Sequence, residues 1–224
     1  MIRLAILASS NGTNAEAILE AVNNKNLDAD IRVILTNKPE SGVIERAHRW
    51  NIPVEIVPSK GHKDRAEYDS LVVDALSRYD VDTIALAGWM RILSHVFLEA
   101  YPNRIINLHP AILPSFKGGT GIKDAYEHGV RISGCSVHLV CPELDNGPLI
   151  IQAAVPVFGT LEEFETQVHR MEHRILPQAL QWFSEGRLSI DGRKVIVAEP
   201  THPVRRIDYL EGCLISPALE VRAD

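Results

Sequence analysis

Ile2-Arg3-Leu4-Ala5-Ile6-Leu7-Ala8 opens the chain as an apolar run broken by one arginine, and Ser9-Ser10-Asn11-Gly12-Thr13-Asn14-Ala15-Glu16 follows it. A short run that is apolar on both faces fits a parallel strand covered by helices on either side. The small, glycine-containing turn after it starts a helix, because Thr13 with Glu16 three residues on has the capping-box pattern. Such a turn lets backbone N–H groups face an anion at the positive end of the helix, and a phosphate is the expected guest. It also reads as an ordinary strand–turn–helix joint. It is not a G-x-G-x-x-G fingerprint, and the second strand ends in Thr36-Asn37 with no acid to read a ribose, which argues against a dinucleotide.

Outward from this stretch, short apolar runs alternate with segments of helical period, as in βαβ units. Strands are expected at 2–8, 31–36, 54–57, 81–87 and 104–108, and helices at 13–22, 42–50, 64–79 and 94–101. Tyr68, Leu71, Val72, Ala75 and Leu76 are expected to share one face of the third helix. After His109 the pattern changes to a short helix at 122–128, two strands at 133–140 and 148–157, and a long helix at 161–185 that Pro177 should kink. A hairpin is expected around Asp191-Gly192. The last 25 or so residues hold three prolines and little periodicity, so they read as a surface tail. The expected organisation is one α/β domain over 1–198, Rossmann-like with a parallel N-terminal half continued by a mixed sheet, and a tail over 199–224.

The composition narrows the class. The chain has 224 residues, 46% hydrophobic and 23% charged, which is globular and excludes wholesale disorder. Its formal charge of −6 argues against a nucleic-acid or polybasic membrane partner. No apolar run reaches the roughly 20 residues that span a bilayer. Three cysteines without a C-x-x-C pair point away from a disulfide framework and towards a reducing cytoplasm. No H-E-x-x-H occurs among the nine histidines, so no metal is expected.

Ligands of doubly wound sheets bind beyond the carboxyl ends of the strands. Asn107 and His109, two apart at the end of the fifth strand, project to the same side. Together they can cradle a developing oxyanion, although a structural histidine at a strand end is the plainer alternative. Asp145, in Leu144-Asp145-Asn146-Gly147-Pro148, reads as turn chemistry or as the partner that fixes the tautomer of His109. Cys135 and Cys141 have no base nearby in sequence and read as incidental thiols. Glu172 lies on the edge of the long helix's apolar stripe, where an acid is either a solvated border residue or a reader of a ligand hydroxyl.

These segments, in this order, resemble the folate-dependent phosphoribosylglycinamide formyltransferase family of purine biosynthesis. The resemblance rests on residues 10–14, on Ala87-Gly88-Trp89-Met90-Arg91-Ile92-Leu93, and on Ile106-Asn107-Leu108-His109-Pro110-Ala111-Ile112-Leu113-Pro114-Ser115-Phe116-Lys117-Gly118. It continues through Gly134-Cys135-Ser136-Val137-His138-Leu139-Val140 and residues 144–157, covering roughly residues 1–190. It implies transfer of a formyl group from 10-formyltetrahydrofolate to the amine of 5′-phosphoribosylglycinamide, without a metal. Gly12, Thr13 and Asn14 would then hold the substrate phosphate, and Glu172 the ribose hydroxyls. Met90, Arg91, Ile92, Leu93 and the 141–145 loop would line the folate pocket, with Leu86, Trp89, Leu98 and Val140 as apolar walls and Arg65 facing the folate's carbonyl or glutamyl end.

The resemblance also implies the chemistry. Asn107 would donate to the oxyanion, and His109, held by Asp145, would stabilise that charge and protonate the departing nitrogen. Asp145 would relay the amine's proton through water. Many relatives carry a loop histidine after the Lys-Gly pair, where this chain has Gly119-Thr120-Gly121. The alternative is formyltetrahydrofolate deformylase, which hands the formyl group to water and carries a regulatory domain before its first strand. Methionyl-tRNA formyltransferase carries a basic C-terminal domain, and neither addition is expected here. A non-catalytic folate- or nucleotide-binding protein would need no Asn107/His109/Asp145 set. The expected state is a cytoplasmic monomer or homodimer.

Overall fold

Runs of buried aliphatic side chains set the strands, and amphipathic segments between them set the helices. In the computed structural model, which describes residues 1–223, the first elements are β1 (Ile2–Leu7), α1 (Thr13–Asn23), β2 (Ala29–Thr36), α2 (Val43–Arg49) and β3 (Val54–Ile56). Then come α3 (Arg65–Ser77), β4 (Thr83–Leu86), α4 (His95–Ala100) and β5 (Ile105–His109). Beyond it follow α5 (Gly121–His128), β6 (Ile132–Leu139), β7 (Leu149–Pro156), α6 (Leu161–Ser184), β8 (Leu188–Asp191), β9 (Lys194–Val197), β10 (Val204–Leu210) and β11 (Cys213–Arg222).

The chain divides into two units, residues 1–107 with 140–142 and residues 108–139 with those from 143 on. The division therefore falls inside the single domain expected over 1–198. In the first unit the strand order is β3-β2-β1-β4-β5, all parallel. Winding reverses between β1 and β4, which is where an open α/β sheet offers its binding crevice. Leu7, Val33, Leu35 and Ile84 pack with Tyr68, Val72, Leu76 and Phe97 in the core. Leu71 departs from the expected face and is 42% exposed. The buried side of α3 is rotated towards Asp69, whose Oδ2 accepts from the Ser94 amide at 2.5 Å.

The second unit holds a mixed sheet. β6, β7, β11 and β10 pair antiparallel in that order, while β9 pairs parallel with β7 and antiparallel with β8. Helix α6 packs on β6 and β7, burying Phe164, Val168, Met171 and Ile175. Pro177 is buried within α6 and does not end it.

The expected surface tail is corrected: residues 204–222 are two strands, and Cys213 and Ile215 are fully buried. Pro217 is tolerated because it falls in the irregular stretch of β11 between its two paired segments with β10, Cys213–Leu214 and Leu219–Arg222, and just past Leu214–Ser216, which pair with β7. Glu220 anchors the hairpin, accepting from Trp182 Nε1 at 2.9 Å and pairing with Arg187 at 2.6 Å. No helix among the described residues is long and apolar enough to cross a membrane.

Candidate active site

The turn after β1 is held through its own backbone. The Ser9 amide donates to Gly88 O at 3.0 Å, and Ser9 Oγ accepts from the Met90 amide at 3.0 Å. These two bonds clasp the ends of β1 and β4 at the point where the winding reverses. Ser10 O accepts from Ser41 Oγ at 2.6 Å, and Asn11 O accepts from Arg46 Nε at 2.6 Å. The turn's carbonyls are thus tied back, while the first amides of α1 have no carbonyl four residues earlier within the helix. Gly12 sits at φ +73°, and a Cβ there would lie 2.5 Å from Val43 Cγ2, so the position requires glycine.

The expected capping box does not form at this helix. Gly12 takes the cap position, Thr13 is already helical, and no side chain caps the helix. Glu16 turns instead to Arg46 (2.7 Å), Arg49 (2.8 Å) and Trp50 Nε1 (2.7 Å). Burial pushes the Glu16 carboxyl up, but these partners outweigh it and hold its pKa below the ordinary value.

The segment after β4 carries the expected folate residues. Met90 and Ile92 are exposed (57% and 43%) and Leu93 is buried. The Arg91 guanidinium stacks 4.1 Å over the Tyr68 ring. Burial, partly offset by Arg91, pushes the Tyr68 phenol up to about 12. Leu86 and Trp89 belong to the core, with Leu98 and Val140 packed against it. A hollow of about 200 Å³ opens beside them, lined by Leu93, His95, Leu98, Glu99 and Pro142. Arg65 is the exposed first residue of α3, which Asp64 caps through the amides of Ala66 and Glu67.

In the second unit the structure brings His109 and Asp145 together. His109 is buried at the end of β5, two residues after half-buried Asn107. Its Nδ1 lies 3.4 Å from Asp145 Oδ2, and its Nε2 is 2.8 Å from Phe116 O. Both ring nitrogens therefore face acceptor oxygens. Asp145 Oδ2 also accepts from the Gly118 amide at 2.9 Å, which fixes the carboxylate more closely than the histidine does. Asp145 adopts φ +46°, a turn conformation that aspartate tolerates.

A second histidine completes this cluster. His138 on β6 is buried, with Nδ1 2.9 Å from Leu139 O and Nε2 3.8 Å from Asp145 Oδ1. Burial, helped by His109 and Lys117, lowers its pKa, and the Leu139 carbonyl and Asp145 only partly offset this. Sequence reasoning did not single it out, although a lone imidazole in the buried run Gly134–Leu139 was the available signal.

Glu172 is inward-facing, only 3% exposed, and its Oε2 meets His169 Nδ1 at 2.8 Å. That hydrogen bond raises the His169 pKa against the opposing effect of burial. Cys135 is fully buried, and burial together with Glu172 pushes its thiol well up, so it is no nucleophile. Among the described residues no group of three or more His, Cys, Asp or Glu is placed to hold a metal ion.

Residues 2–180 match the formyl transferase family. A phosphoribosylglycinamide formyltransferase of Bacillus subtilis is 36% identical over 183 residues, 81% of this chain and 94% of that one. Its Escherichia coli counterpart is 35% identical over 191 residues, 84% of this chain and 90% of that one. The trifunctional purine biosynthetic protein adenosine-3 of Homo sapiens is 36% identical over 190 residues, 84% of this chain but 19% of that protein. The chain thus spans about a fifth of the trifunctional relative's length. The crystal structure of glycinamide ribonucleotide transformylase 1 from Symbiobacterium toebii superposes with a TM-score of 0.86 at 38% identity, covering 89% of this chain and 95% of that one. The chain belongs to the formyl transferase family, and within it to the phosphoribosylglycinamide formyltransferases.

Proposed function

We propose that this chain moves the formyl group of 10-formyltetrahydrofolate to the amine of 5′-phosphoribosylglycinamide, a step of purine biosynthesis carried out in the cytoplasm without a metal. The buried pairing of His109 with Asp145 carries the reading, because it sets an imidazole and a carboxylate where a transient negative charge and two protons must be handled. The amides at the start of α1, with Gly12, Thr13 and Asn14, take the substrate phosphate. Glu172 accepts from the ribose hydroxyls through a carboxylate that His169 already orients.

Met90, Arg91, Ile92, Leu93 and Val140 receive the folate, the exposed apolar side chains of Met90 and Ile92 suiting a flat ring. Arg65 meets its carbonyl or glutamyl end. The amine attacks the formyl carbon directly, so no protein nucleophile takes part. Asn107 donates to the resulting oxyanion. His109 Nε2 donates to the same oxygen, replacing the Phe116 carbonyl as acceptor, and then protonates the departing nitrogen. Asp145 takes the amine's proton through water. Losing one oxyanion donor of this kind lowers turnover by about 10²–10³. Holding the two substrates together contributes roughly 7–11 kcal/mol towards the barrier.

Formyl release from 10-formyltetrahydrofolate, followed by absorbance with and without phosphoribosylglycinamide, tests the reading. Release only in the presence of the amine is expected, whereas equal release without it would mean a hydrolase. Asn107→Ala, His109→Ala and Asp145→Ala should each bind both ligands and turn over about 10²–10³ more slowly. Near-normal turnover in any one of them removes that residue from its role.

A further inference from the structure

The hairpin of β10 and β11 lies beyond residue 180, where the family match ends, and the reaction described above uses none of its residues. β10 is the last strand in its order. β11 covers one of its edges, and no strand among the described residues covers the other. Such an edge is a row of backbone donors and acceptors open to another strand, and proteins commonly guard it with charge. A guard works best with one sign, because like charges repel a second copy.

The edge here, Val204-Arg205-Arg206-Ile207-Asp208-Tyr209-Leu210, carries both signs, and they are arranged about its middle residue; the register shift between Ile207 and Tyr209 puts its extra residues on β11, between Leu214 and Leu219. A two-fold axis normal to a sheet pairs residues of the same parity, so the antiparallel self-pairing must centre on a residue. Centred on Ile207, Arg206 of each copy, which within its own chain pairs with the exposed Glu199, faces Asp208 of the other, Arg205 faces Tyr209, and Val204 faces Leu210. Directly opposed side chains have Cβ atoms about 4.5–5.5 Å apart, within reach of an ion pair and of a guanidinium over a phenol ring. Centring on either neighbour sets Arg206 against Arg206 or Asp208 against Asp208. Exposed apolar residues accompany this edge: Tyr209 is 65% exposed beside its β11 partner Leu214 (55%), and Arg205 pairs with Val221 (50%).

We propose that a second copy of this chain docks along β10 by antiparallel strand addition, about a two-fold axis through Ile207. The ion pairs occur twice, once on each side of the axis, and the sheet runs on from one copy into the next.

Sedimentation equilibrium of the full chain at low salt tests the dimer. Wild type should show a concentration-dependent mass approaching twice that of the chain. Asp208→Lys sets a lysine against Arg206 twice and should raise the dissociation constant at least tenfold, about 1.4 kcal/mol. The swap R206D/D208K restores opposite charges in this register and should bring the constant back to within about threefold of wild type, a residue well inside the tenfold step. Cysteine placement reads the register independently. Ile207→Cys should oxidise to a covalent dimer, because opposed Cα atoms lie about 4.5–5.5 Å apart. Arg205→Cys should not, since its counterpart would be about 13 Å away along the strand. Circular dichroism and formyl-transfer rate confirm that each variant is folded. A monomeric wild type, a dimer indifferent to Asp208→Lys, an unrescued swap, or Ile207→Cys that fails to cross-link would each overturn the proposal.

Discussion

Helices α1 and α6 begin on the same pattern, Thr13-Asn14-Ala15-Glu16 and Thr160-Leu161-Glu162-Glu163, and they close their first turns by different means. At α6 the Thr160 side chain accepts from the Glu163 amide at 3.2 Å, and Glu163 Oε2 accepts from the Thr160 amide at 2.7 Å. Two orphan donors are satisfied from within the helix, as a capping box requires. At α1 the chain arrives one residue earlier in register. Gly12 takes the cap in a left-handed conformation, Thr13 becomes the first helical residue, and Glu16 is drawn sideways to Arg46, Arg49 and Trp50. A closed N-terminus serves stability alone. An N-terminus without a side-chain cap keeps donors for a ligand, and its stability must come from the elements packed beside it.

Gly12→Ala should break that difference hardest. The new Cβ meets Val43 Cγ2 at 2.5 Å and must hold φ +73°, so overpacking and backbone strain together should destabilise the fold by about 2–4 kcal/mol. The KM for the phosphorylated substrate should rise as well, because relief of the clash moves the amides that we propose take the phosphate. Urea unfolding and steady-state kinetics measure the two effects. Unchanged stability would show that the turn is not locked, and unchanged KM in a destabilised variant would detach it from the substrate.

Thr160→Ala probes the closed end. Removing the box should lower stability by about 1 kcal/mol, the usual effect of losing a threonine cap. Neither KM should move, because this helix start faces no substrate in the proposed reading. A kinetic effect as large as that of Gly12→Ala would erase the distinction between the two ends.

The parallel half of the fold was legible because its strands are buried on both faces, and the expected bounds differ from those found by only a residue or two at most ends. Errors arose where a local pattern was outcompeted from afar. Arg46 and Arg49, thirty residues beyond Glu16, decide where that acid points, and no window around Thr13 contains them. Leu71 was displaced from the buried face of α3 because Asp69 serves the Ser94 amide. The C-terminal strands were hidden by Pro203 and Pro217, read as breakers, although one precedes β10 and the other sits where the β10–β11 register shifts. Within the candidate site, Asn107, His109 and Asp145 could be picked out from the sequence, and the structure brings the last two together. His138 and the Phe116 carbonyl were not, since both join the cluster through the way the chain returns on itself.

Glu16 gives the smallest and most specific test of the open end. Its folded pKa lies below the ordinary 4.5, so the unfolded chain binds the proton more readily. The stabilisation is therefore fully present above about pH 4.5 and is lost as pH falls through the folded value. Glu16→Gln keeps the shape but not the charge, and should lower stability by about 1 kcal/mol near neutrality. That gap should stay constant down to about pH 5 and close progressively below it, as the wild-type carboxyl protonates. Melting curves of the two proteins between pH 3 and pH 7 would show the convergence. A gap that persists at pH 3 would mean that the side chain acts by shape and neutral hydrogen bonding, and that charge does not hold α2 against the turn.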